Sequence, residues 1–142
     1  MAFIRTISVR EQAAWMKQHH ASFECRVRGG RMDCNGVVRP TPLSREYRVV
    51  ISYECGCRPR VYVPGAQLKR RNAQERIPHT FSDSEPCLYY APAAEWRSDM
   101  KISASIIGWL SHWLHYYEIW HATGEWLGGG IEHQTQDGKN GN

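Results

Sequence analysis

The segment Tyr47–Tyr53 constrains the fold more than any other part of the sequence. It is rich in β-branched and aromatic residues, which favour the pleated, half-buried surface of a sheet, so it predicts a strand. Further strand patterns occupy residues 23–27, 32–38 and 61–63, with turns containing Gly or Pro between them. Four strands joined by short turns predict an antiparallel meander.

Helices are predicted on both sides of these strands. Ser8 and Glu11 have the spacing of a capping box, and an apolar stripe follows over about Val9–His19. Near the other end of the chain, apolar residues recur at three- and four-residue steps, at Ile102, Ile106, Leu110, Trp113 and Tyr117. This spacing predicts a long amphipathic helix, and Gly124 is a signal for its end.

The length of the chain suits one domain, because 142 residues can surround a single core. We predict an α+β domain over residues 1–131, with the first and last helices on one face of the sheet. Residues 132–142 are mostly polar and are predicted to form a flexible tail.

Charge and hydropathy exclude several classes of function. The net charge is only +4, and the densest basic run, residues 69–71, falls in a predicted loop without interleaved aromatic residues. Nucleic-acid binding is therefore disfavoured. No stretch of 18 apolar residues and no leader pattern in residues 1–10 are present, so we expect a cytoplasmic protein with no membrane span.

The five cysteines give no metal-site pattern. Their odd number predicts reduced thiols in a cytoplasmic protein. Cys55 and Cys57 form a CxC rather than the CxxC of a zinc knuckle, and Cys25 and Cys34 are not spaced as a knuckle either. These four are interpreted as small buried or turn residues, and no metal or cofactor is predicted.

The last helix offers a second arrangement of metal-ligand types. His112, His115 and Glu118 lie three residues apart, whereas helical zinc motifs place histidines four apart, so a polar stripe is favoured over a metal site. Three aromatic residues could either form a surface for a partner or close the end of the core, and these are Tyr116, Trp120 and Trp126.

The segment between the fourth strand and the last helix has little periodicity. Residues 66–92 contain three prolines and several small polar residues, and a loop of this length inside a compact domain usually has a function. Within it lie Pro78-His79 and Cys87-Leu88, and Trp96 follows nine residues after the cysteine.

These residues carry a family resemblance. The chain resembles ubiquitin-conjugating enzymes, which share the order of helix, four-stranded meander, active-site loop and helices. Pro78 lies nine residues before Cys87, the usual spacing in that family, and Cys87-Leu88 and Trp96 match its motif. The segment 61–64 matches the Tyr-Pro end of its fourth strand.

A narrower resemblance is to one bacterial subgroup. Its matches lie at Pro78-His79, Cys87-Leu88-Tyr89, Glu95-Trp96, 106–114, 116–120, 123–126, Gly128–Gly130 and His133. The subgroup is the ubiquitin-conjugating-like protein of short type II CBASS antiphage operons, which is encoded beside a cGAS-like nucleotidyltransferase (CD-NTase) without a fused activating enzyme. The resemblance covers roughly residues 20–133.

The resemblance implies a catalytic role for two residues. Cys87 would be the nucleophile that forms a thioester with the C-terminal glycine of a partner, by resemblance the CD-NTase. Residues 80–86 are polar and end in proline, so an accessible thiol is expected. His79 replaces the family's Asn, and its imidazole N–H could donate to the oxyanion or could instead brace the loop.

Charged residues near Cys87 in sequence are candidates for supporting roles. Arg76, Arg97 and Lys101 could favour the thiolate. Related enzymes use a carboxylate to orient an attacking lysine, but the acidic residues of this segment match no motif position and are interpreted as solvated, namely Asp83, Glu85 and Asp99.

Two functions follow as alternatives. The first is a ubiquitin-conjugating-like transferase that loads Cys87 and either passes the carried protein to a lysine of an unknown acceptor or holds it as an adduct, priming cyclic-oligonucleotide signalling. The second is a non-catalytic scaffold with the same fold that binds the synthase. No ATP-binding motif is present in the sequence, so activation is not assigned to this chain.

Overall fold

A computed structural model describes residues 5–89 and 95–129. Its elements, in chain order, are helix α1 (Val9–His19), strands β1 (Glu24–Arg28), β2 (Arg31–Val38), β3 (Tyr47–Glu54), β4 (Arg60–Tyr62), β5 (Thr80–Ser82) and β6 (Glu85–Pro86), a 3-10 turn (Ile102–Ala104) and helix α2 (Ile106–Thr123). The predicted α+β order is confirmed, and it is consistent with a ubiquitin-conjugating-like fold. The predicted tail lies outside the described residues, and the domain boundary at residue 131 stays a prediction.

Helix α1 begins with the predicted capping box. The Ser8 hydroxyl accepts a hydrogen bond from the Glu11 N–H, and the Glu11 carboxylate accepts one from the Ser8 N–H, each over 3.1 Å. These two bonds satisfy backbone donors that the first helical turn would otherwise leave open. The helix buries Val9, Gln12 and Met16 against the rest of the fold.

The first four strands form one antiparallel sheet in the order β1-β2-β3-β4. Strand β3 lies in the middle, and it alternates strictly, burying Tyr47, Val49, Ile51 and Tyr53 on one face. The apolar face therefore packs on the helices, while the other face carries polar side chains. The predicted meander is confirmed.

Strand β1 is joined to β2 by a disulfide between Cys25 and Cys34, which are directly paired in the sheet register. The prediction of reduced thiols was wrong for this pair. The reason is geometric: cross-strand neighbours bring their Cβ atoms close together, and the sequence alone does not give the register that makes Cys25 and Cys34 neighbours.

Helix α2 supplies most of the helical core. Its fully buried side chains include Leu110, Trp113 and Leu114, which share one hydrophobic cluster with Met16 of α1 and the apolar face of the sheet. The prediction that both helices cover one face is confirmed. The helix begins at Ile106 rather than at residue 102, because the 3-10 turn occupies the preceding residues.

The end of α2 is the predicted glycine cap. Gly124 has φ +87° and donates its N–H to the Trp120 carbonyl over 2.7 Å. Glycine adopts this left-handed conformation without steric cost. Within residues 5–89 and 95–129, no helix combines the length and apolarity that a membrane span requires.

One buried side chain joins the two ends of the fold. The Gln12 side-chain amide donates to the Met100 carbonyl over 2.8 Å and accepts from the Ile102 N–H over 2.9 Å. The bonds tie α1 to the 3-10 turn that precedes α2. Because Gln12 is fully buried, these bonds also satisfy its polar atoms.

Candidate functional site

The predicted irregular segment 66–92 contains a small hairpin. Strands β5 and β6 pair antiparallel, with Thr80 opposite Pro86. This pairing places the flanking residues His79 and Cys87 side by side at the open end of the hairpin. The Ser84 carbonyl accepts a hydrogen bond from the Val63 N–H over 2.8 Å, which attaches the hairpin to the end of β4.

The carbonyl of His79 connects the hairpin to helix α2. It accepts a hydrogen bond from the Cys87 N–H over 2.8 Å and a second from the Trp113 indole N–H over 3.0 Å. Both of its acceptor positions are therefore used, and the site is fixed to the buried face of α2. His79 has φ +52°, a left-handed conformation that is uncommon for a residue other than glycine.

The imidazole of His79 is also buried. Only 4% of the residue is exposed, and the ring centroid lies 5.1 Å from that of Trp126, with a tilt of 58° between the rings. The preceding turn is closed by the Thr80 hydroxyl, which donates to the Ile77 carbonyl over 2.8 Å. These contacts describe a braced loop, which was one of the two roles proposed for His79.

Cys87 is buried, so the prediction of an accessible thiol was wrong. The residue is 1% exposed. Burial raises the pKa of the Cys87 thiol, and the positive charge of Arg58 partly opposes that effect. The polar residues 80–86 do not expose the thiol because the hairpin folds back and pairs its two ends.

The basic residues considered from the sequence have other contacts. Arg97 pairs with Asp99 over 3.0 Å, the guanidinium of Arg76 lies 3.5 Å from the Thr80 carbonyl, and the Lys101 ammonium lies 3.5 Å from the centre of the Trp15 ring. Arg58 is instead the cation that acts on Cys87.

The acidic residues of the segment are all paired. Glu85 is buried and accepts two hydrogen bonds from the Arg60 guanidinium, at 2.9 and 3.0 Å. Its interpretation as a solvated residue was wrong. Asp83 is exposed and pairs with Arg70 over 3.2 Å. None of these pairs by itself identifies a group that orients a lysine.

A groove of about 440 Å³ lies beside Cys87. Its walls include Leu88 and Tyr89, which follow the cysteine, and Phe81 of β5, which is half exposed. The Tyr89 hydroxyl donates to the Pro59 carbonyl over 2.7 Å, and the Arg58 guanidinium lies 4.8 Å from the centre of the Tyr89 ring. The groove is mainly apolar with cationic groups at its rim.

The side chains of α2 that could bind a metal, His112, His115 and Glu118, do not form a metal site. Glu118 accepts hydrogen bonds from the Tyr47 hydroxyl and the Ser44 hydroxyl, each over 2.8 Å. It thus connects α2 to the sheet. In the part of the chain that the structure describes, no group of three histidine, cysteine or acidic residues could hold a metal ion.

The aromatic residues at the end of α2 belong mainly to the core. Trp120 is 1% exposed, and Trp126 is half-buried and packs between His79, Trp113 and Tyr116. The alternative that closes the core is therefore confirmed for Trp120. Trp126 also extends the core to the site, since it contacts the His79 ring.

Several site residues were not found from the sequence. Arg58 and Arg60 flank Pro59 about thirty residues before Cys87, and only the packing of β4 on the hairpin brings them close to the site. Trp113 was predicted as a core residue, but its hydrogen bond to His79 was not. No local sequence pattern indicates these long-range contacts.

Comparison with known proteins identifies the family. A family model described as the type II CBASS E2 protein matches residues 12–134, which include His79, Cys87, most of α1 and all of α2. No curated protein shows significant similarity to the chain. The match covers most of the 142 residues and implies a role in CBASS antiviral defence. The chain belongs to the family of type II CBASS E2 proteins.

Proposed function

We propose that this E2 protein carries the C-terminal glycine of a partner protein as a thioester on Cys87. By resemblance the partner is the cGAS-like CD-NTase, and loading primes cyclic-oligonucleotide signalling in the cytoplasm. The observation that supports the proposal most directly is the hydrogen bond from the Cys87 N–H to the His79 carbonyl. This bond holds Cys87 and His79, the two residues that resemble the family's motif, next to each other.

The proposed reaction is acyl transfer. The partner arrives with its C-terminal carbonyl already activated, as a thioester or an acyl adenylate. The Cys87 thiol loses its proton, the thiolate attacks the carbonyl carbon, a C–S bond forms, and the bond to the leaving thiolate or adenylate breaks. When one thioester replaces another, the reaction is nearly balanced and needs little acid–base assistance.

His79 has two proposed roles in this reaction. Its carbonyl holds Cys87 and Trp113 in place, which supports the bracing role. Donation from the imidazole N–H to the oxyanion of the tetrahedral intermediate stays a prediction. The bracing by the His79 carbonyl separates experimentally from the second role, because the carbonyl is kept when the side chain is replaced.

The scaffold function is the second candidate, and the burial of Cys87 favours it. A thiol that is 1% exposed with a raised pKa is a poor nucleophile unless the loop opens. In the scaffold alternative the protein binds the synthase without covalent chemistry. On the transferase proposal, docking of the partner exposes Cys87.

Intact mass spectrometry of the protein co-produced with its operon neighbours tests the proposal. We expect the mass of the partner to be added to the chain, and we expect hydroxylamine to release it. Cys87→Ser should accumulate an ester that resists thiol reductants, and Cys87→Ala should carry no adduct. Cys55→Ser is the matched control, because it removes an exposed thiol outside the site.

The outcomes separate the two functions. An adduct that persists in Cys87→Ala would exclude Cys87 as the carrier. Stable non-covalent binding of the synthase by Cys87→Ala, with phage protection retained, would establish the scaffold. An adduct on a lysine of a third protein would show transfer, whereas an adduct that stays on Cys87 would show that the E2 protein holds its cargo.

A further inference from the structure

The turn between β3 and β4 holds two exposed thiols next to each other. Cys55 and Cys57 are both exposed and neither is in a disulfide. The Cys57 N–H donates to the Glu54 carbonyl over 2.9 Å, and the Cys55 N–H donates to the Gly30 carbonyl over 3.0 Å. The two hydrogen bonds fix the backbone of Cys55 and Cys57, which carries both thiols.

The spacing of the two cysteines is compatible with a disulfide. Two steps of about 3.8 Å between successive Cα atoms limit the Cα separation to about 7.6 Å, and bending at the central residue shortens it toward the roughly 4.4–6.8 Å of disulfides. That residue is Gly56, with φ +94°, a conformation that glycine adopts readily. The central position therefore has the residue that the bend requires.

The buried residue Tyr53 shares the electrostatic environment of these thiols. It is 1% exposed, and its hydroxyl has no hydrogen-bond partner among the residues that the structure describes. Burial first, and then the charges that Cys55 and Cys57 can carry, raise the pKa of Tyr53.

Redox exchange fits this arrangement better than metal binding. Two thiols offer only two ligands, and stable zinc sites use four. Among residues 5–89 and 95–129, no third histidine, cysteine or acidic residue joins them in a group that could hold a metal ion. Two adjacent exposed thiols can instead react in sequence with one disulfide substrate.

We propose that Cys55-Gly56-Cys57 is a dithiol–disulfide exchange site for low-molecular-weight disulfides of the glutathione class. One thiolate attacks a sulfur of glutathione disulfide and releases one glutathione. The second thiolate then displaces the other glutathione and closes the Cys55–Cys57 disulfide. Two protein thiols are oxidised, one disulfide is reduced to two thiols, and the two protein protons leave with the products.

The site extends the proposed function without depending on it. Cys57 lines the groove that also contains Leu88 and Tyr89, the residues after Cys87. Closing the ring draws the Cys57 sulfur toward Cys55 and alters the groove wall. The oxidation state of the turn is thus coupled to the surface beside Cys87, although the exchange chemistry itself does not involve Cys87.

Glutathione redox buffers test this inference on the full chain carrying Cys87→Ser. In this variant Cys25 and Cys34 form their disulfide, so Cys55 and Cys57 are the two free thiols. Acid quenching, intact mass measurement and peptide mapping should show the loss of two hydrogens and a Cys55–Cys57 disulfide. Excess reduced glutathione should reverse the change. With Cys57→Ser added, a single glutathione should remain on Cys55, at an occupancy about tenfold higher than in the parent.

Three results would overturn the exchange site itself. The first is two glutathiones on one chain with no Cys55–Cys57 disulfide. The second is no reaction with glutathione disulfide. The third is protection of both thiols from alkylation by equimolar Zn²⁺, which would identify a metal site instead. Failure of Cys87 loading would affect none of these measurements, so the two proposals fail independently.

Discussion

The Cys87 N–H donates to the His79 carbonyl over 2.8 Å, so the proposed nucleophile and its neighbour in the motif are held together through the backbone. The bond closes the open end of the β5–β6 hairpin. It depends on the backbone of His79 rather than on its imidazole. Substitutions can therefore separate the placement of Cys87 from any chemistry performed by the ring.

Replacement of His79 distinguishes catalysis from bracing. His79→Asn keeps a side-chain donor and tolerates the left-handed φ of +52°, so we expect thioester loading within about threefold of the parent. His79→Gly accepts the same backbone but lacks the donor. If the imidazole stabilises the oxyanion, loading by this variant should fall by about 100-fold. Full loading by His79→Gly in a single-turnover assay would leave His79 only the bracing role.

Trp113→Phe should loosen the hairpin. The substitution removes the indole N–H that donates to the His79 carbonyl over 3.0 Å, and we expect a loss of about 1 kcal/mol in the free energy of unfolding. Alkylation of Cys87 in the folded chain should become faster, because the hairpin opens more often. Trp120→Phe is the control: its indole bonds to Glu75. If both variants alkylate Cys87 equally fast, the His79 bond does not control access.

The Arg60–Glu85 pair should stabilise the site more than a surface ion pair does. The Glu85 side chain is 8% exposed, so Arg60→Met leaves a buried carboxylate with neither of its guanidinium bonds. We expect a clear loss of stability in denaturant unfolding, limited by the exposure of Arg60 to solvent. Arg70→Met is the matched control, since its partner Asp83 is exposed, and it should cost less than about 0.5 kcal/mol. Equal losses would contradict the importance of Glu85 burial.

The reaction of Cys87 with iodoacetamide should depend steeply on pH. The thiolate is the reactive form, and burial raises the pKa of Cys87, so the folded chain should react slowly at pH 7. The rate should rise about tenfold per pH unit and should still rise steeply at pH of about 8.5, where the same cysteine in the unfolded chain is half ionised and its rate begins to level off. A half-maximal rate at or below that pH in the folded chain would contradict the raised pKa.

The same shift has a consequence for stability. The folded state favours the protonated thiol, so its contribution is fully present below the unfolded pKa of about 8.5 and is lost as pH rises toward the higher folded pKa. The free energy of unfolding should therefore fall more steeply over this alkaline range in the parent than in Cys87→Ala. Parallel curves would show that Cys87 titrates alike in both states.

Local patterns were sufficient for most of the fold. The alternation of Tyr47–Tyr53, the Ser8–Glu11 capping box and the Gly124 cap each depend on residues close in sequence, and the structure contains all three. A glycine inside a strand usually weakens it, yet β2 continues through Gly36. The reason is tertiary, because the Phe23 ring packs directly over Gly36 and leaves no space for a side chain.

The site was less predictable because it depends on long-range contacts. Strands β5 and β6 are too short to show an alternating pattern, so the sequence predicts an irregular loop where the hairpin buries Cys87. The approach of Arg58 to Cys87 requires β4 to pack beside that hairpin. Likewise, the Cys25–Cys34 pairing follows from the strand register, and the sequence does not specify it.

The Gln12 amide has a consequence for how the chain folds during synthesis. Its two partners, Met100 and Ile102, are translated about ninety residues later. Until they leave the ribosome, α1 can form its own cap but has no partner for its buried amide, and burying that group alone is costly. The amide thus delays docking of the first helix until the turn before α2 has been synthesised, and it makes the earliest part of the chain one of the last to fold.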